Sequence, residues 1–344
     1  MNPYALSMII SSLALGTTTA LFSFHWILAW IGLEINTLAI IPLMTKNPHP
    51  RSIEATTKYF LTQATASALI LFSSILNAWL TGEWAITNLM NPVSTIFLSI
   101  AILTKLGLAP FHFWMPDVLQ GLTLQTSWIL STWQKLAPMA IIFQLSQSIN
   151  LTLMMASGLL SILIGGWGGI NQNQTRKILA FSSIAHLGWM ITILKISPPL
   201  SLLTFSLYII MSSTLFYTFI IINSTNILQL ATSWTKLPIL TTFSLLSLLS
   251  LSGLPPLTGF MPKWLVAQEM VKQDLVLISF VMLTLTLLSL FFYLRLTYTI
   301  SLTMAPNSPL STSLWHLKKK NNLASLILLT LSLIPISPSL LSLI

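Results

Sequence analysis

The 344-residue sequence contains no cysteine. That removes disulfides, thiolate metal sites and iron–sulfur ligation from anything this chain does alone. Charge is nearly as scarce: 6 % of residues are Asp, Glu, Lys or Arg, against about a quarter in an ordinary soluble domain. Only 6 residues are acidic. A water-facing surface cannot be built from so few charges, so a soluble enzyme, a disordered chain and a disulfide scaffold are excluded. The net charge of +9 does not indicate a nucleic-acid partner, because the basic residues are scattered and form no patch interleaved with aromatics. The opening MNPYALSMII has neither a basic stretch nor a small-residue cleavage site, so no removable targeting segment is expected there.

What the chain has in abundance is apolar sequence. Hydrophobic residues make up 54 %, and mean hydropathy is +0.84. A membrane-crossing helix needs about 20 such residues. Charges, prolines and asparagine clusters divide the sequence into eleven segments, near 3–22, 25–45, 58–80, 93–114, 122–144, 149–170, 174–195, 200–223, 238–265, 275–299 and 323–343. The expectation is an all-α integral membrane protein of about eleven transmembrane helices, with short loops and a single polytopic domain over 1–344.

Charge asymmetry supports that division. With Lys105, Lys135 and Lys263 set aside as lying within segments, Lys46, Arg51, Lys58, Arg176, Lys177, Lys236, Arg295, Lys318, Lys319 and Lys320 fall on one side. Only Lys195 and Lys272 fall on the other. Ten against two is a positive-inside pattern. It puts the N-terminus on the positive side and the C-terminus opposite.

One internal repeat stands out. Gly107–Pro116 reads GLAPFHFWMP and Gly253–Pro262 reads GLPPLTGFMP, with six of ten positions corresponding. Five crossings separate the copies, so they run in opposite directions, as in an inverted-topology repeat with broken helices near 93–116 and 238–265.

Four ionisable residues lie within apolar segments: Glu34, Lys105, Lys135 and Lys263. Each costs a few kcal/mol or more at the bilayer centre, so each needs a partner, water or a task. Pro110 follows Lys105, Pro138 follows Lys135, and Pro255, Pro256 and Pro262 precede Lys263. A proline frees a backbone carbonyl one turn earlier, and irregular backbone at membrane depth survives only beside protein or water. Buried amines beside broken helices therefore suggest a hydrated polar axis. Glu34, approaching or leaving an amine, would load or unload a proton; Lys105 is its expected partner. His112 and His186 are relay candidates, because imidazole donates and accepts near neutral pH. The plain alternatives are snorkelling lysines, a structural ion-pair network and satisfied packing histidines. His25, His49 and His316 are assigned no role, and Lys318–Lys320 is read as a topology anchor. The Gly165–Gly169 stretch has no preceding strand and no following Lys-Ser/Thr, so it is no phosphate loop; close helix packing or a loop suits it.

PRSIEATTKYFLTQATAS (50–67), KLGLAPFHFWMPDV (105–118), TWQKLAP (132–138), NQNQTRKILAFSSIAHLGWM (171–190) and SGLPPLTGFMPKW (252–264) closely resemble the antiporter-like membrane subunits of respiratory NADH:ubiquinone oxidoreductase, complex I. The resemblance spans essentially the whole chain and is weakest over 300–322 and at the C-terminus. It implies an inverted-repeat, antiporter-like bundle with two broken helices. Glu34 matches the family's intramembrane glutamate, Lys105 the lysine of the first broken helix, Lys135 the central-axis lysine, and Lys263 the lysine of the second broken helix. His112 and His186 match family positions as well. The implied role is proton translocation from the mitochondrial matrix to the intermembrane space, coupled to ubiquinone reduction. NADH, FMN, Fe–S clusters and ubiquinone would be handled by other subunits, with no cofactor or metal in this chain. Partners would be neighbouring membrane-arm subunits and phospholipids, and no nucleic acid. A free-standing cation/proton antiporter and a passive membrane scaffold are the competing readings.

Overall fold

A computed structural model describes residues 2–88, 91–235, 237–301 and Thr330. The expected eleventh segment, 323–343, lies outside the described residues apart from Thr330, as do Lys236, His316 and Lys318–Lys320. The described residues form thirteen α-helices, and the chain divides into two compact units, 1–161 and 162–344.

The first unit holds α1 (Pro3–Phe22), α2 (Trp26–Met44), α3 (Pro50–Thr81), α4 (Pro92–Leu106), α5 (Trp114–Gly121), α6 (Leu124–Gln144) and the start of α7 (Leu151–Ile170). Proline opens α1, α3 and α4, at the first-turn positions where a missing N–H costs nothing. α3 starts eight residues before the segment expected from charge. His49 and Ser52 cap it reciprocally, and Glu54 and Lys58 pair at 2.7 Å on an exposed first stretch. The charges mark an outward-facing stretch of the helix and not its boundary. α1 and α2 meet backbone to backbone at Gly32, where a methyl group would lie 2.8 Å from Ala20 N and 3.0 Å from Gly16 O. α2 packs on α1, α3 and α6; α4 packs on α3 and α6.

The second unit continues α7 and adds α8 (Thr175–Ile193), α9 (Pro198–Ile222), the short α10 (Ile227–Ala231), a 3₁₀ turn (Thr232–Thr235), α11 (Pro238–Ser252), α12 (Phe260–Lys272) and α13 (Val276–Ser301). The Gly165–Gly169 stretch is helical and serves close packing. Gly165 and Gly168 lie against Ala185 and Phe181 of α8, and Gly166 and Gly169 against Leu288 and Phe292 of α13. The α7–α8 connection is tied down by Arg295 of α13, which donates to Ile170 O at 2.5 Å and to Asn173 Oδ1 at 2.9 Å.

α1, α2, α3, α7, α9 and α13 are each long and apolar enough to cross a membrane. α4 and α11 are apolar but only 15 residues long, and each is followed by a break and a second short helix. The fourth and ninth expected segments are thus discontinuous helices.

Candidate functional site

The two breaks share one geometry. α4 ends on Gly107 at φ 72° and α11 on Gly253 at φ 84°, the left-handed conformation that glycine adopts without penalty. Seven residues beyond each glycine the next helix begins, at Trp114 and at Phe260. The repeated GL-P----MP pattern is therefore a repeated fold: helix, glycine stop, loop, helix.

The exposed carbonyls left by each stop are satisfied differently. In the first copy the Trp114 indole Nε1 donates to Thr104 O at 3.1 Å. In the second, the Lys263 ammonium donates to Ser252 O at 2.7 Å and lies over Gly253. A helix C-terminus carries partial negative charge, which favours a cation there.

In the first unit, Lys105 sits on the last turn of α4 and is 6 % exposed; Lys135, in mid-α6, is 3 % exposed. Both line one cavity of about 20 Å³, space for about one water. Polar groups from three other helix positions complete the wall: Asn36, Tyr59 with Gln63, and Gln134. Pro138, inside α6, has no N–H to donate to the Gln134 carbonyl one turn earlier. The Gln134 side chain in turn donates to Asn36 O at 3.1 Å, tying α6 to α2. The Lys105 amine has no hydrogen-bond partner among the described residues.

Glu34 lies on α2, next to the cavity-lining Leu33 and Asn36, and its buried Oε2 has no hydrogen-bond partner among the described residues. It makes no ion pair with Lys105 among the described residues. α3 and α6 each pack against both α2 and α4.

In the second unit, Lys263 lines a cavity of about 20 Å³ together with His186, Thr204 and Tyr208. His186 Nε2 lies 3.4 Å from the hydroxyl of the buried Tyr293. His112 sits elsewhere, in the break between α4 and α5. It is 5 % exposed, its ring lies 4.2 Å from that of Phe113, and its Nδ1 has no hydrogen-bond partner among the described residues.

The structure thus brings Lys105 and Lys135 to one cavity and Lys263 and His186 to another, and leaves Glu34 on α2 outside the residues that line either. Sequence reasoning missed Tyr59, Gln63, Gln134, Tyr208 and Tyr293. The signal for the first two was available: Tyr59 and Gln63 are four apart on a helix, hence on one face. Among the described residues no group of three or more His, Asp or Glu converges to hold a metal.

Discontinuous helices with buried lysines define the class: an antiporter-like polytopic membrane protein. Residues 23–289 match the model for the NADH:quinone oxidoreductase/Mrp antiporter transmembrane family, and residues 290–341 match the NADH dehydrogenase subunit 2 C-terminus. The chain belongs to this family. It is 60 % identical, over 99 % of each chain, to NADH-ubiquinone oxidoreductase chain 2 of Aquarana catesbeiana. It is 59 % identical to the protein of that name from Xenopus laevis, over 98 % of this chain and 99 % of that one. A chain of respiratory complex I from Thermus thermophilus shares the fold with TM-score 0.83 at 24 % identity, over 99 % of this chain and 80 % of that chain. A chain of the Mrp complex from Dietzia sp. does so with TM-score 0.77 at 17 % identity, over 88 % and 61 %.

Proposed function

We propose that this chain is an antiporter-like subunit in the membrane arm of a mitochondrial NADH:ubiquinone oxidoreductase. It carries protons from matrix to intermembrane space through Glu34, Lys105, Lys135 and Lys263, with His112 and His186 as further relays. The N-terminus faces the matrix and the C-terminus the intermembrane space. Oxidation of NADH, with FMN and Fe–S clusters, and reduction of ubiquinone belong to partner subunits. Phospholipids cover the remaining apolar surface.

One observation carries this reading. Lys105 holds its amine in the interior without a hydrogen-bond partner among the described residues, beside a second buried lysine and a water-sized space. A structural amine would be neutralised by an adjacent carboxylate, because an uncompensated buried charge costs several kcal/mol. An amine that must gain and lose a proton is better left in reach of water and of a carboxylate one helix away. Lys263 differs in donating to the carbonyl end of α11, at Ser252 O.

The test is Lys105→Ala in the assembled mitochondrial complex. NADH:ubiquinone turnover should fall by about tenfold or more, with the NADH reaction toward an artificial acceptor preserved. An assembled variant with normal turnover and a normal proton-to-electron ratio would reduce this chain to a passive brace.

A further inference from the structure

Buried hydroxyl groups abound in this chain, yet few of them are free to serve a proton path. On α3 the buried stripe includes Ser52, Thr56, Tyr59, Gln63, Ser67, Ser74 and Asn77. The serines and the threonine spend their hydrogens on their own helix: Ser52 on His49 O, Thr56 on Ile53 O, Ser67 on Ala64 O and Ser74 on Leu71 O. Such bonds close locally and leave no donor pointing away. Tyr59 and Gln63 are too long for that closure. Both line the Lys105–Lys135 cavity, at 2 % and 4 % exposure. The Gln63 amide nitrogen has no hydrogen-bond partner among the described residues. A buried donor left unpaired costs about 1–3 kcal/mol, so the packing of this site favours a polar occupant.

We infer that Tyr59 and Gln63 are positioning residues that hold one water molecule between the amines of Lys105 and Lys135, so that a proton crosses from α4 to α6 through it. This rests on the proton-carrying role of the two lysines. In the step, an N–H bond at Lys105 Nζ breaks and the proton passes to the water oxygen. The water gives one of its own protons to a neutral Lys135 Nζ, where an N–H bond forms, and the water is regenerated. Gln63 donates to the water oxygen, and the Tyr59 hydroxyl fixes its remaining direction. Tyr59 is itself fixed by an edge contact with Trp114, ring centroids 5.7 Å apart, and Trp114 caps α4 just before Lys105.

Two variants test this in the assembled complex. Tyr59→Phe keeps the ring on Trp114 and loses only the hydroxyl. Gln63→Leu keeps the volume and loses the amide. Each should assemble, retain the NADH reaction with an artificial acceptor, and lose coupled ubiquinone turnover by about tenfold. The pH at which coupled turnover is half-maximal should also move by about half a unit or more, a shift that a merely structural role does not produce. If either variant assembles and turns over with an unchanged pH profile while Lys105→Ala is impaired, the positioning role is wrong and the lysine role stands. If Lys105→Ala is normal as well, both fall together.

Discussion

Gly253→Ala puts the second broken helix to a quantitative test. Two separate costs add at this position. The backbone there has φ 84°, and an L-residue in the left-handed region costs roughly 1–2 kcal/mol relative to glycine. The new methyl would lie 2.8 Å from Lys263 Nζ, 2.9 Å from its Cδ and 3.1 Å from its Cε. Comfortable contact is about 3.5 Å, so the lysine side chain must move by more than half an ångström. The bond that pins it, 2.7 Å from Nζ to Ser252 O, cannot survive such a shift at full strength, and a charge-assisted bond contributes about 1.5–3 kcal/mol. Together the substitution should cost up to roughly 2.5–5 kcal/mol, divided between the stability of the second unit and the positioning of Lys263. The assay is paired: thermal inactivation of the complex, and coupled ubiquinone turnover below the inactivation temperature. Both should suffer, and Lys263→Met should reproduce the turnover defect without the full loss of stability. A Gly253→Ala complex with unchanged inactivation temperature and turnover would show that neither the left-handed stop nor the lysine contact matters, and would undo the account of the break.

Two further outcomes follow from the geometry. Trp114→Phe removes the donor to Thr104 O while leaving an aromatic ring for Tyr59, so thermal stability should fall by about 1 kcal/mol, read as a lower inactivation temperature of an otherwise assembled complex. Asp117→Asn removes a 3.0 Å pair with the exposed Lys58; exposed pairs contribute about 0–1 kcal/mol, so turnover and inactivation temperature should both remain near wild type, and a severe defect would mean that this surface is buried against a partner.

Much of the fold was legible because its punctuation is chemical. Prolines at the starts of α1 and α4 and the glycines at 107 and 253 mark ends whatever the tertiary context. The four deep ionisable residues were legible for the same reason: charge in an apolar run is conspicuous. What stayed hidden depends on which helices become neighbours. Glu34 was paired with Lys105 because it is the one acidic residue expected at membrane depth, but α3 and α6 pack against both α2 and α4, and no linear pattern says so. Tyr59 and Gln63 look like ordinary residues of an amphipathic helix until the cavity they face is seen. The early start of α3 was missed because Arg51 and Lys58 were counted outside the segment, although the four-residue spacing of Glu54 and Lys58 is itself helical.

The run from Gly165 to Gly169 gives α7 slots on two sides and almost nothing to fill them with. The filling comes from α8 and α13, chiefly Phe181 and Phe292. A groove without side chains discriminates by shape alone, so the choice of neighbour is written in the keys and not in the lock. Shaving Phe181 or Phe292 would leave hollows against the groove, whereas a side chain added at Gly168 or Gly169 would press on those same rings.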